Sequence, residues 1–459
     1  MDPRLQIPLL PVSPTWLAPI AAAVLIIVLS ILFGRIPLRY NFRNLVVRWL
    51  TTSLTGVAFV LVIGLLTVML AFVRGMYKLT ESSGKATNLI LLSAGTTDEA
   101  FSNLAFSDSG DIENQPGIAR DGDNRPLCSK ETYIVVNQPI PNAESGRPKR
   151  RFVQVRGVED ALISGAVHGV ELYEGGSWFS AAGVQAGESN SDGAVGESVI
   201  EAVVGEGVAR EFARDPDTRD LPSVKRLQRL DVGDTMRMGG RLWRIVGVMK
   251  SAGSTFDSEV WALRSLVAPL FGKNTYTSLV LRAENVRAAR GLKTFFNDEF
   301  KKAAVQAQLE TEYFASLSKT NEQFLYAIVF VAAIMAVGGA FGVTNTMLAA
   351  VAQRSKDIGV LRILGYSRWQ VQLCFLVESL LIALAGGAMG CALGFLVDGV
   401  TATSIVGSGQ GGGKTVILKL VVDSDIVLRC MSLSVIMGLI GGLYPALTTL
   451  RLRPLEILR

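Results

Sequence analysis

Five stretches of the chain are free of charge, or nearly so, and long enough to cross a bilayer, which takes ~20 apolar residues in a helix. They are Trp16–Phe33, Trp49–Val73, Gln323–Gln353, Trp369–Val397 and Cys430–Leu450. Hydrocarbon offers no partner to backbone N–H and C=O groups, so such stretches fold as helices that satisfy those groups internally. Composition agrees. Of 459 residues, 49% are hydrophobic and mean hydropathy is +0.36, too apolar for an ordinary soluble chain. The first stretch is the shortest and contains Pro19. Its leading region holds only Arg4 against Asp2, and no small-x-small cleavage site follows Phe33. It therefore reads as a retained span rather than a secretion signal.

Basic residues in short loops orient the spans. Arg35, Arg39, Arg43 and Arg48 follow the first span without an acid. Arg354, Lys356, Arg362 and Arg368 follow the third against Asp357, and Arg451, Arg453 and Arg459 follow the last against Glu456. Alternation through five spans puts all three groups in the cytoplasm, with the amino terminus outside and the carboxyl terminus inside. The net charge of +5 is thus spread by topology rather than gathered into a nucleic-acid-binding patch. Tyr40–Thr52 places Phe42, Leu45, Val46 and Trp49 at helical spacing with Arg43 and Arg48 interleaved. It reads as a helix on the inner membrane surface or as charge that only sets orientation.

Residues 74–322 fall outside the cytoplasm and have the texture of a globular α/β domain. Short β-rich runs (Asn88–Leu92, Tyr133–Val136, Phe152–Val155, Val199–Val204 and Leu242–Met249) alternate with Gly, Asp and Asn clusters. Ser107–Pro126 and Ala181–Gly196 read as surface loops poor in apolar residues. From Glu284 to Lys319 the spacing of Leu292, Phe295, Phe296 and Phe300 predicts a helix running on towards the third span.

Between the third and fourth spans, Gln353–Val371 reads as a short helix, a stop and the start of a second helix. Ser355 is expected to cap the short helix, with Asp357 in its first turn matching the dipole. Ile358, Leu361 and Leu364 form an apolar stripe, Gly365 is the stop, and Ser367 with Gln370 spells a capping box. A basic helix wedged between two spans is a docking element rather than a catalytic pocket.

Other motifs are weighed individually. Gly386, Gly390 and Gly394 repeat at four-residue spacing in the fourth span, as do Gly338 and Gly342 in the third. Such rows let helix backbones approach, within one chain or between two copies. Glu378 is an intramembrane carboxylate that costs ~2.5–3.5 kcal/mol to insert. It reads as a hydrogen bond to a neighbouring helix or as a proton relay, and no other span offers an acid, Lys or His. Gly407–Thr415 imitates a phosphate-binding loop, yet the first required glycine is Ser408, so it is expected to be a flexible linker and the chain to carry no ATPase of its own. A single histidine, His168, argues against histidine-based metal or acid–base chemistry. Cys374, Cys391 and Cys430 lie in apolar stretches, and Cys128 has neither a CxxC partner nor a histidine close in sequence, so neither a disulfide framework nor a nucleophile is readable. No cofactor or metal is expected.

The segment Arg354–Arg368 resembles the Arg-x3-Glu-Ile-Gly-x-Leu-Arg-Ala-Leu-Gly-Ala-x-Arg signature of the FtsX-like permeases of MacB-type ABC transporters, the group that includes the lipoprotein-releasing permeases. Glu378-Ser379-Leu380, Gly386-Gly387 and Gly390 stand at the family's spacing, and Tyr444-Pro445-Ala446 through Leu452–Arg459 is similar to its usual ending. Val153–Gly157, Gly175–Trp178, Val203–Gly205, Val232–Asp234 and Arg244–Val248 fall in the order of a MacB-like periplasmic core domain. The additional first span and the Ser107–Pro126 and Gly407–Gly413 insertions depart from the pattern.

The apolar stretches and the resemblance together predict an integral membrane α-helical protein of about five transmembrane helices, one more than the four usual in the family, with a large extracytoplasmic α/β domain. Residues 1–39 would form the extra span, 40–73 the entry helix and next span, 74–322 the core domain and 323–459 the permease domain. Two permease chains, identical or different, would pair with two copies of a separate cytoplasmic ABC ATPase, in an inner membrane. The coupling helix would use Arg354, Lys356, Asp357, Ile358, Gly359, Leu361, Arg362, Leu364, Gly365 and Arg368. The implied function is ATP-driven movement of the outer domain for export or extraction of a lipoprotein, peptide or similar cargo, with a periplasmic adaptor as a further partner. The alternative within the same architecture is a signalling protein that regulates an outer partner such as a cell-wall hydrolase.

Overall fold

The computed structural model describes residues 16–32, 43, 47, 49–140, 150–187, 196–250, 253–317, 319–406 and 414–448. The chain divides into two compact units. One comprises Met1–Arg74, Phe324–Val400 and Leu420–Arg459, and the other Gly75–Gln323 with Thr401–Lys419. The surface helix expected over Tyr40–Thr52 lies largely outside the described residues, as does the chain beyond Thr448.

Among the described residues, six helices run through or belong to the membrane unit: α1 (Leu17–Leu32), α2 (Trp49–Ser83), α3 (Lys319–Gln353), α4 (Ser355–Ile363), α5 (Arg368–Phe395) and α6 (Ser424–Thr448). Four of them, α2, α3, α5 and α6, are long and apolar enough to cross a membrane. The fifth expected span is the shorter α1, whose 16 residues reach ~24 Å at 1.5 Å per residue against a hydrocarbon core of ~30 Å. Ala23 of α1 is buried with Leu380 of α5 and Val435 of α6.

Small residues set how these helices meet. A Cβ built on Gly386 would lie 2.6 Å from the Cβ of Phe59, and on Gly394 2.5 Å from that of Thr67. On Gly390 it would lie 2.9 Å from the Cβ of Ile63. The glycine row of α5 is therefore the seat of α2 within one chain. A second set, on α6, does the same without forming an evenly spaced row in the sequence. Cβ atoms on Gly438, Gly441 and Gly442 would collide with Ala383, Val343 and Ser379. In contrast, Cβ atoms on Gly338 and Gly342 of α3 would meet nothing within 4 Å. We expect Gly394→Val to destabilise the helix bundle by ~1–3 kcal/mol through overpacking, read as a lower melting temperature of the detergent-solubilised chain. An unchanged melt would refute the α5–α2 seat.

The outer unit is built on one mixed ten-stranded sheet. Its strands are β1 (Asn88–Ser93), β2 (Cys128–Pro139), β3 (Arg150–Val158), β4 (Val184–Gly187), β5 (Gly196–Gly205), β6 (Thr235–Met238), β7 (Arg241–Met249), β8 (Glu259–Leu263), β9 (Ser278–Arg282) and β10 (Val305–Leu309). The order is β10-β1-β9-β2-β3-β8-β5-β7-β6, with β4 beside β5. β3–β8 and β5–β7 pair in parallel and the remaining neighbours antiparallel. All five β-rich runs of the sequence fall in strands.

Three local expectations change. The helix expected over Glu284–Lys319 is interrupted. Val286–Thr294 is helical, but Val305–Leu309 alternates buried and half-buried side chains and pairs with β1; a two-residue period is what a strand at a sheet edge uses. Ser107–Pro126 contains most of a helix, Phe106–Glu113, pinned by buried Ile112, and its remainder is tied by Asp121, which accepts from the amides of Asp123 and Arg125. Ala181–Gly196 contains β4, and residues 188–195 lie outside the described set.

The segment between α5 and α6 also differs from a linker. It forms a hairpin, β11 (Thr401–Val406) with β12 (Lys414–Lys419), whose tip at 407–413 lies outside the described residues. The hairpin is part of the outer unit. The Ile417 amide donates to Ser258 Oγ at 2.7 Å, Leu418 is buried, and a Cβ on Gly75 would strike the Lys419 carbonyl oxygen at 2.4 Å.

The two largest apolar cores among the described residues of the outer unit are centred one on β1, β9 and β10 and the other on β5, β7 and β8. An ionic cluster occupies the strands between them. Arg156 on β3 donates to both oxygens of Glu259 at 2.7 Å, to Glu99 at 3.1 Å, and to Glu131. His168 ends the helix Ala161–His168, with Nε2 2.6 Å from Glu131 and Nδ1 3.2 Å from Glu310. The other oxygen of Glu310 accepts from the Lys85 amide and the Asn88 side chain, each at 2.9 Å. The chain's entry into this domain at 85–88 and its exit at 310 are thus held by one carboxylate.

Candidate functional site

The segment around α4 assembles as follows. α3 ends at Gln353 and α4 begins at Ser355, so Arg354 is the junction. The Arg354 amide donates to the carbonyls of Ala350 and Val351, both at 3.2 Å, and its own carbonyl accepts from Ile358 at 2.9 Å. Arg354 therefore occupies the capping position expected of Ser355, which is instead the first residue of the helix, and no side chain caps it. Asp357 remains in the first turn.

The other end follows the sequence closely. The Tyr366 amide donates to the Leu361 carbonyl and the Gly365 amide to that of Arg362, the paired bonds of a Schellman stop. Gly365 has φ +94°, a conformation that glycine adopts without steric cost. Ser367 and Gln370 then close the capping box of α5, with the Ser367 amide 2.7 Å from Gln370 Oε1 and the Gln370 amide 3.2 Å from Ser367 Oγ.

Burial sorts the expected site residues into two groups. Arg354, Ile358 and Gly359 are buried, and Ile358 packs with Val351, Val371, Phe375 and Ala446. Leu361 and Arg362 are half-buried, and the Arg362 guanidinium donates to the Tyr366 carbonyl. Lys356, Asp357, Leu364, Gly365 and Arg368 are exposed. The apolar stripe read as Ile358–Leu361–Leu364 is thus split: its first member faces the spans and its last faces away. The outward apolar surface is Val360, Ile363 and Leu364, 48, 64 and 70% exposed, with Trp369 at the head of α5 also exposed. The sequence does not single out Val360 and Ile363, because helix periodicity fixes which residues share a face but not which face is covered.

Arg354 does not point outward. Its guanidinium donates to both oxygens of Glu378, at 2.9 and 3.2 Å, and lies over the ring of Phe375. Both partners of this ion pair are at least nine-tenths buried. The carboxylate for which no span supplied a counter-charge is matched by the residue just beyond the end of α3. Proximity through folding, 24 positions apart, carried no signal in the sequence.

The described residues offer no competing chemistry. Among them no three or more His, Cys, Asp or Glu are grouped to hold a metal. Burial pushes the Cys128 thiol well above its ordinary range, the opposite of an activated nucleophile. His168 belongs to the ionic cluster: burial lowers its pKa, but the Glu131 charge and the bonds to Glu131 and Glu310 outweigh this and hold it at about 9.

A chain built this way is a multi-span membrane protein with its largest folded domain outside the bilayer. The profile of the MacB-like periplasmic core domain matches residues 52–311, and that of the FtsX-like permease C-terminal region matches residues 329–454. The chain belongs to the MacB-type ABC transporter permease family.

Among its relatives, the macrolide export ATP-binding/permease protein MacB of Shewanella oneidensis is 24% identical over 387 residues, covering 81% of this chain and 55% of that protein. An ABC transporter permease of Methanocaldococcus jannaschii is 28% identical over 240 residues, covering 50% of this chain and 58% of that protein. The chain spans about half the length of the curated relatives it matches. The solved periplasmic region of MacB from Actinobacillus actinomycetemcomitans is similar at 15% identity, with a TM-score of 0.33, over 52% of this chain and 95% of that one.

Proposed function

We propose that the chain is the permease subunit of an ABC transporter in which α4 docks on a cytoplasmic ATPase and passes its closure to the outer domain. The observation that carries this reading is the exposed apolar face Val360–Ile363–Leu364 on a helix held at both ends. Exposed apolar side chains clustered on one rigid element, rimmed here by Lys356 and Arg368, are the mark of a protein-binding surface. In this reading the ATPase is a separate chain, and the basic residues of the short loops support a cytoplasmic position for α4 and the carboxyl terminus. The ionic cluster holding the entry and exit of the outer domain supports movement of that domain as one body.

The cargo follows from the same mechanics. The spans hold no charged pathway among the described residues, since Glu378 is neutralised by Arg354. Work is therefore done on material outside the membrane, an amphipathic molecule such as a macrolide-like compound, a peptide or a lipoprotein, passed on with a periplasmic adaptor. A second permease chain completes the unit. Its seat is α3, of which only 11% of the membrane-length window is buried within the chain and whose Gly338 and Gly342 lie open.

The test is direct. With the ATPase co-expressed, Leu361→Glu, Arg362→Glu and Ile363→Glu are each expected to abolish coupled ATP turnover and co-purification of the ATPase while membrane insertion is retained. Wild-type turnover in Ile363→Glu would sink the docking assignment.

A further inference from the structure

The ion pair between Arg354 and Glu378 does more than neutralise a buried carboxylate. α4 joins α5 through the turn Leu364–Ser367, in which Gly365 takes a positive φ. A helix attached to its neighbour only through such a turn pivots on it. Arg354 lies at the opposite end of α4, and its two-pronged contact with Glu378 fastens that end to α5, well past the turn. Its backbone is shared by the last turn of α3 and the first turn of α4. One residue therefore joins three helices.

The apolar contact of Ile358 with Val371 and Phe375 also holds α4 to α5, but apolar attraction is non-directional and tolerates sliding. A bidentate guanidinium–carboxylate contact fixes both distance and orientation. Buried as it is, the pair cannot separate without leaving two unpaired charges out of water. Beyond Glu378, Ser379 abuts Gly442 of α6, and the row Gly386, Gly390 and Gly394 seats α2.

We propose that Arg354 and Glu378 are the positioning pair that makes α4 and α5 a single moving body, so that displacement of α4 by the ATPase reaches α5, and through it α2 and α6, instead of being absorbed at Gly365. This inference rests on α4 being the ATPase-docking helix. Its residues act through position and make no contact with nucleotide or cargo.

The experiment uses the full chain co-expressed with its ATPase in lipid nanodiscs, with MgATP and vanadate as the probe. It measures ATPase co-purification, ATP turnover and backbone hydrogen exchange across 368–395. The expected result for Glu378→Gln is undiminished co-purification, with turnover and the nucleotide-dependent exchange change in α5 each reduced by about tenfold, a coupling loss of ordinary size. The exchanged pair Arg354→Glu with Glu378→Arg restores both. Arg354→Lys keeps the charge but loses the fork and gives an intermediate response, which carries the test if the neutral variant fails to accumulate.

Wild-type turnover and α5 response in Glu378→Gln or in Arg354→Lys overturn the proposal. So does restoration by the apolar pair Arg354→Met with Glu378→Leu but not by the charge exchange, since the site would then be packing alone. If the wild-type chain itself retains no ATPase, the docking reading of α4 fails first, and this inference falls with it.

Discussion

Replacement of Arg156 by alanine is expected to unfold the outer domain or leave it at the edge of stability. The guanidinium is 1% exposed and is the cationic centre shared by Glu99, Glu131 and Glu259, all buried. Removing one partner of a buried ion pair costs ~3–5 kcal/mol because the other is left charged and unsolvated, and here three carboxylates lose a shared cation at once, with Glu131 still facing His168. Against a total stability of ~5–15 kcal/mol for a folded domain, that is a large part. Thermal unfolding of the full chain in detergent, followed by the fluorescence of buried Trp243 and Trp261 and by limited proteolysis, reads the effect. Adding Glu99→Gln, Glu131→Gln and Glu259→Gln to Arg156→Met should recover part of the loss. An Arg156→Ala chain melting within ~1 kcal/mol of wild type would refute the central role of this cluster.

Alkaline pH acts on the same cluster through His168. The imidazolium faces Glu131 and Glu310, with Arg156 beyond Glu131, Lys85 and Arg282 acting on Glu310, and the rings of Phe256 and Trp261 alongside. Its pKa is about 9 in the folded chain against the ordinary 6.5. A group whose folded pKa is raised contributes its full stabilisation below the unfolded value and loses it as pH climbs through the folded one. A tenfold difference in proton affinity is worth ~1.36 kcal/mol, so His168 contributes about 3 kcal/mol below its unfolded pKa. That contribution disappears as pH rises from 6.5 to about 9. The stability of the outer domain should fall across that window, with hydrogen exchange in β2 and in the helix Ala161–His168 rising first. In His168→Gln the same window should be flat. A wild-type profile as flat as the variant's would mean that the imidazole is neutral when buried.

Sequence and structure agree most closely where the chemistry is local. Ser367–Gln370 is a capping box whose two bonds lie within four residues, and Gly365 is a stop because only the local backbone decides it. The β-rich runs at β1, β2, β3, β5 and β7 are legible because each is long and apolar on at least one face. What is hidden is long-range. The Val305–Leu309 strand is masked by the helical spacing of the phenylalanines before it, and only pairing with β1, more than two hundred residues upstream, makes it a strand. Likewise Glu378 displays no partner within the spans, because Arg354 sits just past the end of one. The glycine rows are visible, but which row is filled within the chain depends on helix placement: α5 receives α2, whereas α3 is left open.

The hairpin β11–β12 bears on how such proteins can be recombined. The outer unit is assembled from two separate lengths of chain, Gly75–Gln323 and Thr401–Lys419, and the second is threaded between α5 and α6. An outer domain borrowed from a relative and grafted at residues 75 and 323 would arrive without the strand pair that covers Ser258 and Gly207, while the host's own hairpin would face a foreign surface. A working chimera must exchange both lengths together, and a change in the loop between α5 and α6 is expected to require a matching change in a domain whose first length ends about eighty codons earlier.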